Sequence, residues 1–246
     1  VSGHFQYTED DPEGLETLAA ISDADAFNGW MFDQVKPWLQ SPVLEIGSGI
    51  GNLSKCCLEA GFTTTLSDVR PLYCQQLTDR FKGHEKLQEI LLMDLVDPDF
   101  SNKHLHQISN FKSVFALNVI EHIEDDLTAL KNIYKLLDTG GNVIILVPAG
   151  QYLYNKLDTN LQHYKRYSAS SLQRLMLDAG FEVQKTWHFN ALGIPAWVYG
   201  GLTSKAGVIG HGQMNLYNKL VPFAKVIDGL VFNKIGLSVI CVGKKK

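Results

Sequence analysis

The 246-residue chain has little that would tie it to a membrane span, a secretory route or a nucleic acid. No apolar run reaches the roughly 18 residues that a membrane-spanning helix requires. The opening residues Val1-Ser2-Gly3-His4 carry neither a charged leader nor an apolar stretch, so a cytoplasmic location is expected rather than secretion. Four cysteines occur, Cys56, Cys57, Cys74 and Cys241, with no C-x-x-C spacing among them. That pattern supports neither a zinc ribbon nor a disulfide framework and leaves reduced thiols. There is no internal repeat and no low-complexity tract.

Positive charge is scarce over most of the length. Residues 1–190 hold 15 basic and 25 acidic side chains, a balance of −10, whereas residues 191–246 hold 7 and 1, a balance of +6. An acidic body does not suit a partner lined with phosphates, so no nucleic acid is expected. The basic end fits an anionic substrate or peripheral contact with a membrane, or is a solubilising terminus formed by Lys244-Lys245-Lys246. Nothing in the sequence bears on oligomeric state. With 45% hydrophobic and 20% charged residues, the chain is composed as one globular domain with decorations.

The informative stretch is Val43 to Asn52, VLEIGSGIGN. A short apolar strand runs into a glycine-rich turn, and Leu53 to Ala60 then reads as a helix stopped by Gly61. Such a turn lets backbone approach a nucleoside-bearing ligand closely. The dinucleotide fingerprint G-x-G-x-x-G is not met, because Asn52 stands where its last glycine belongs; the phosphate-loop lysine is missing too. These departures argue against a nicotinamide or nucleotide-sugar enzyme. Glu45, inside the strand, suits a ligand carrying an ammonium group. Phe62 to Asp68, Ile90 to Leu95, Val114 to His122 and Asn142 to Pro148 read as four further strands, three ending in or followed by polar residues at their tips. A helix is expected over Asp125 to Leu137, closed by Gly140-Gly141. Strands alternating with helices at this pitch predict an α/β doubly wound sheet.

The turn E-I-G-x-G-x-G, followed by acids at the tips of the second and third strands, resembles class I S-adenosylmethionine-dependent methyltransferases. The resemblance is to the small-molecule type found in quinone biosynthesis and natural-product pathways. It implies a Rossmann-like seven-stranded sheet, mostly parallel with an antiparallel last strand, and S-adenosyl-L-methionine as cofactor. By the same resemblance Glu45, Gly47, Ser48, Gly49 and Gly51 hold the methionine end of the cofactor. Asp68 with Val69 takes the ribose, Asp94 with Leu95 the adenine, and Asn118 lines the pocket near the methyl. Tyr7 is expected to close on the methionine end. The metal-dependent relatives hold an ion with a downstream Asp-Asn pair, and the amide and adenine N-methylases carry an N-P-P-Y tetrapeptide; neither occurs here. The expectation is therefore metal-free, in-line transfer to oxygen, or to carbon, of a small or lipid-like acceptor. A catalytically silent cofactor-binding partner is the alternative.

Leu157 to Ser168 gathers an acid, an imidazole, a guanidinium and phenols in one loop, and matches the D-x4-H-x2-R-[YF] pattern of similar enzymes through Asp158, His163, Arg166 and Tyr167. His163 is suited to take a proton near neutral pH, with His122 and Tyr167 as further candidates for chemistry. Asp158 and Arg166 either touch the acceptor or lock the loop. Two N-terminal helices, Gly14 to Ile21 and Ala24 to Val35, are expected to fold over the pocket, with Trp30 as an acceptor contact or a core anchor. Beyond strands at Phe181–Trp187 and Leu237–Gly243, the residues between are too many for a structureless loop and read as a helical lid carrying Trp197. The domain plan is thus a helical cap over 1–40, a cofactor-binding core over 41–190, a lid over 191–236 and a last strand with basic tail over 237–246.

Overall fold

The computed structural model describes residues 12–203 and 211–246. Tyr7 lies outside the described residues. Two helices lead, α1 (Pro12–Ser22) and α2 (Asp25–Val35). The next units are β1 (Val43–Ile46), α3 (Asn52–Glu59), β2 (Thr64–Asp68), α4 (Pro71–Phe81) and β3 (Leu87–Leu92). After them come α5 (Phe100–Lys103), β4 (Phe111–Leu117), α6 (Asp126–Leu136), β5 (Leu137–Pro148), α7 (Lys156–Asn160), α8 (Ala169–Asp178) and β6 (Glu182–Phe189). Two lid helices, α9 (Gly193–Thr203) and α10 (His211–Leu230), precede β7 (Ser238–Lys244).

The seven strands form one sheet in the order β3-β2-β1-β4-β5-β7-β6. Neighbours from β3 to β5 run parallel, and β7 runs antiparallel to both β5 and β6. The chain builds outward from β1 to β3, then crosses back to lay β4 on the other side of β1. At that reversal the connections leave in opposite directions, and a crevice opens beyond the carboxyl ends of the strands.

Period-two alternation divides the core between the two faces of the sheet. Val114, Ala116, Val143 and Ile145 pack against Leu130 and Ile133 of α6 and Leu172 and Met176 of α8. Phe115, Ile144, Leu146, Ile240 and Val242 pack on the opposite face against Trp30, Met31 and Val35 of α2 and Val221 and Ala224 of α10. Both faces are therefore buried, which is why the central strands read as unbroken apolar runs.

Several boundaries differ from the sequence expectation. β5 begins at Leu137, which pairs with Phe111; residues 138–141 then bulge outward before Asn142 pairs with Ser113. Gly140-Gly141 thus serves a kink in the strand, not the end of α6. β3 stops at Leu92, and the chain beyond turns on Asp94, whose carboxylate accepts the Val96 N–H at 2.9 Å. β4 ends at Leu117 because Asn118 adopts φ 56°, a left-handed conformation that breaks the strand.

Beyond the packing of α10 on the sheet, a buried carboxylate ties the lid to the end of β6. Asp228 of α10 accepts the N–H groups of Asn190 and Ala191, both at 2.7 Å, at the point where the chain leaves β6. The Tyr217 hydroxyl donates to the Asn190 side chain, and the Phe27 N–H of α2 donates to Asn218 at 3.0 Å. Replacing Asp228 by Ala strands the buried Asn190 donor, at a cost of about 1–3 kcal/mol, and the half-buried Ala191 donor at less. Asp228→Ala is expected to lower Tm by several degrees in a thermal melt; an unshifted Tm would mean the lid is secured elsewhere.

Candidate active site

A cavity of about 910 Å³ occupies the crevice at the strand reversal. Its floor is the turn after β1. Gly47 has φ 68°, and a Cβ there would stand 2.4 Å from Val119 Cγ2, so only glycine lets the turn lie against the β4 tip. Gly49 has φ 54° and faces Leu18 of α1, where a Cβ would sit 3.1 Å from Cδ1. Gly51 does not line the cavity. It precedes α3, and a Cβ there would meet Phe81 at 2.5 Å, so its work is helix packing. The turn is bound to the next strand by Asp68, whose carboxylate accepts the Gly49 N–H at 2.9 Å and the Arg70 N–H at 3.0 Å. Burial pushes the Asp68 carboxyl up, against the pull of those same N–H groups.

Of the residues expected at a cofactor, Glu45, Gly47, Ser48 and Gly49 line this cavity, as do Asp68, Val69, Asp94, Leu95 and Asn118. Glu45 is buried and accepts the Ser54 hydroxyl at 2.5 Å. Desolvation lifts its carboxyl from 4.5 to about 8, against the Ser54 and Ser48 hydroxyls, with the nearby Asp68 charge adding to the rise. Thr17 Oγ1 and Asn28 Oδ1 are buried in the cavity wall without a hydrogen-bond partner among the described residues. A cofactor with an ammonium, a carboxylate and a ribose fits this end: it would meet an acid, unpaired polar atoms and the Asp68 carboxylate in turn.

The other end carries the reactive side chains. His163 Nδ1 lies 2.8 Å from Asp158 Oδ1, and Arg166 Nε donates to the same oxygen at 2.8 Å. The other Asp158 oxygen accepts the Asn155 N–H at 2.9 Å, which also caps α7. Burial pushes the Asp158 carboxyl up, but the hydrogen bonds from His163, Arg166 and Asn155 outweigh it and hold it below the usual carboxylate range. An ionised Asp158 at Nδ1 holds a proton on that edge of the imidazole and fixes its orientation. Arg166 is spent on Asp158, on the Ala149 carbonyl at 3.1 Å and on the face of the Trp197 ring, 4.6 Å from its centroid. His122 meets His163 edge to face at 4.7 Å. Desolvation, with the charges of His163 and Arg70, lowers His122 to about 3, although the carbonyls of Leu161 and Gln162 pull the other way. It is therefore a neutral imidazole at physiological pH.

Besides Gly51, three expected site residues lie away from the cavity. The Tyr167 hydroxyl donates to the Asp126 carboxylate at 2.8 Å and is packed in the core; burial and that acid raise its pKa, so it stays protonated and braces the loop. Trp30 packs on Phe189 with ring centroids 4.4 Å apart, so it backs a cavity residue instead of touching an acceptor. Asp158 is fully buried beneath His163. His122, His163, Arg166 and Trp197 do line the cavity.

Glu121 is the residue that sequence reasoning passed over. It is fully buried and lines the cavity, and neither carboxylate oxygen has a hydrogen-bond partner among the described residues. Desolvation lifts it from 4.5 to about 8, against its own backbone N–H and the Arg166 charge. The signal was available: an acid directly after an apolar strand, Ile120-Glu121-His122, with no basic residue near it in sequence.

A family model for the methyltransferase domain matches residues 14–186. The chain belongs to the S-adenosylmethionine-dependent methyltransferases. No protein of curated function matches it in sequence. Among solved structures it is similar to the Haemonchus contortus phosphoethanolamine N-methyltransferase 2 in complex with S-adenosyl-L-methionine. There the identity is 15% and the TM-score 0.58 over 89% of this chain and 52% of that one, so the chain spans about half the length of the worm enzyme. It is also similar to an Archaeoglobus fulgidus SAM-dependent methyltransferase, at 16% identity and TM-score 0.58 over 90% and 94% of the two chains. A Thermotoga maritima methyltransferase, described as a possible histamine N-methyltransferase, aligns at 16% identity and TM-score 0.58 over 92% and 91%. At these identities the likeness is one of fold.

The raised carboxyl of Glu45 makes this methyltransferase pH-sensitive in a defined direction. With an ordinary value of 4.5 unfolded and about 8 folded, Glu45 keeps its proton in the native state between those limits. Its stabilising share is thus complete below about 4.5 and is lost as pH rises toward 8. Glu45→Gln is expected to flatten that part of the Tm-against-pH curve and to melt above wild type at pH 8; parallel curves would show Glu45 to be ionised throughout.

Proposed function

We propose that the chain transfers a methyl group from S-adenosylmethionine to a hydroxyl oxygen on a small, largely apolar or lipid-like acceptor. Bound at the glycine turn, the cofactor supplies a methyl already made electrophilic by its sulfonium. The protein's own part is alignment, exclusion of water and activation of the hydroxyl. Gly47 and Gly49 open the backbone, Glu45 meets the ammonium, Asp68 accepts from the ribose, and Asp94 and Leu95 border the adenine. The single observation that carries the acceptor assignment is the His163–Asp158 pair facing the far end of the same cavity. Asp158 holds the imidazole by its Nδ1 edge, so His163 meets the acceptor oxygen with its free edge and activates it. Arg166, clamped between Asp158 and Trp197, keeps the pair in register.

The apolar character of the acceptor is supported by the lid. Leu157, Phe189, Ala196, Trp197 and Met214 line the cavity. On α10, Leu216, Leu220, Phe223, Val226 and Leu230 recur at helical spacing, and Leu216, Phe223 and Leu230 are 62%, 66% and 72% exposed. Leu216 and Leu220 also line the cavity, so the stripe continues into it. Basic residues interleave with the stripe at Lys219 and Lys225. Such a face suits peripheral contact with an anionic membrane from which a lipid-like acceptor enters.

Asp68→Ala is expected to weaken S-adenosylhomocysteine binding about ten-fold or more by calorimetry, since a charged hydrogen bond is worth roughly 1.5–3 kcal/mol. His163→Ala is expected to lower turnover by about 10²-fold or more with the homocysteine analogue bound as tightly as by wild type. Equal turnover would return His163 to a structural role.

A further inference from the structure

We infer that Glu121, His122 and His163 form a binding site for one divalent transition-metal ion at the acceptor end of the cavity. The inference rests on the methyl-transfer reading only for the ion's use, not for its binding.

One carboxylate oxygen and one ring nitrogen from each imidazole lie within 4.8 Å of one another. Donors around a tetrahedral ion at roughly 2.0–2.2 Å are about 3.4 Å apart, so rotamer-scale shifts close this cluster on a cation. Glu121 and His122 are adjacent, in the short helical turn Ile120–His122 that follows β4, while His163 arrives from the loop after α7. The two segments are held together independently of any ion: the Tyr164 N–H donates to the Glu121 carbonyl at 2.9 Å. The donors are thus preorganised by backbone.

Glu121 is the observation that asks for a ligand. A fully buried carboxyl with no partner on either oxygen among the described residues is costly, because burial without hydrogen bonds forfeits several kcal/mol of hydration. The nearby Arg166 charge favours its ionised form but makes no hydrogen bond to it. Arg166 gives its Nε to Asp158 and a terminal nitrogen to Ala149, and Asp158 is already saturated by Arg166, His163 and Asn155.

The surroundings of the imidazoles fit the same reading. Histidine ligands usually give their second nitrogen to a carboxylate or a backbone carbonyl, which fixes the tautomer and sharpens the donor. Asp158 does this for His163 at 2.8 Å, and the carbonyls of Leu161 and Gln162 face His122. Two imidazoles and one carboxylate make a donor set for Zn²⁺, Co²⁺, Fe²⁺ or Ni²⁺, not for an all-oxygen ion such as Mg²⁺. Three protein donors leave at least one position for an oxygen of the acceptor. A hydroxyl held there would give up its proton to water more readily; with the ion bound, the free edge of His163 is a ligand, and the ion takes over the activation that the metal-free site leaves to that imidazole. The missing Asp-Asn pair therefore excludes one metal site and not all of them.

The test uses the full chain stripped with a chelator and titrated with Co²⁺ alone, followed by calorimetry and by visible absorption. Uptake of about one equivalent is expected, with ligand-field bands and no thiolate charge-transfer band, since Cys56 and Cys57 are not donors. Glu121→Gln and His163→Ala are each expected to weaken Co²⁺ binding ten-fold or more while S-adenosylhomocysteine affinity stays within two-fold of wild type, which certifies the fold. No uptake by wild type, or uptake equal in wild type and both variants, overturns the site. Loss of homocysteine-analogue binding by wild type would instead overturn the cofactor reading, and leaves the Co²⁺ result to stand or fall by itself.

Discussion

The arrangement depends on one hydrogen-bonded link, the Asp68 carboxylate at the tip of β2 accepting the Gly49 N–H of the turn after β1. Two adjacent parallel strands end at the same level, and this link bends the first turn back over the second strand. Ser48 reinforces it, giving its N–H to the Ser67 carbonyl at 2.8 Å and accepting the Ser67 N–H at 3.2 Å. Because Gly47 must also clear Val119, the turn is pinned on both flanks, against β2 and against the β4 tip. The floor of the cavity is thus rigid before any ligand arrives, which lowers the entropy cost of binding one.

The second half of the site is assembled on a different principle. Few of its groups come from strands: His163 and Arg166 lie in a loop whose geometry is set by Asp158, a single carboxylate taking an imidazole, a guanidinium and a backbone N–H. Tyr167 adds a brace through Asp126, and the Tyr154 hydroxyl donates to the His163 carbonyl at 2.6 Å. A loop so thoroughly satisfied behaves as part of the scaffold, which is where precise chemistry is best placed.

The sheet and the cofactor turn were legible because each rests on local pattern. Apolar runs with period two, glycines at fixed offsets and acids at strand tips all sit within short stretches, so β1, β2 and β4 through β7 fall where periodicity puts them to within a few residues. Boundaries slipped where tertiary pairing overrides local signals, as at Leu137, which joins β5 only because Phe111 is beside it. Side-chain direction was the less legible part. Trp30, Tyr167 and Asp158 look like pocket residues in sequence, yet Trp30 and Tyr167 face partners distant in the chain, Phe189 and Asp126, and Asp158 turns into its own loop toward Arg166. Glu121 was overlooked although its place after an apolar strand was visible; its lack of a partner among the described residues is the part that sequence does not display.

The lid enters and leaves the sheet between β6 and β7, two antiparallel neighbours whose pairing runs from Glu182–Lys244 to Phe189–Ser238 without its help. It is tied to the β6 end by the Asp228 carboxylate and packs Val221 and Ala224 of α10 on the sheet face, while the strand hydrogen bonds are made by the strands themselves. Such an inserted module can be lengthened, reshaped or recoded without disturbing the strand ladder or the turn that grips the nucleoside. In lineages sharing this architecture, the choice of compound to be modified would diverge quickly while the donor half stays put, because the two halves are built from separable pieces of chain.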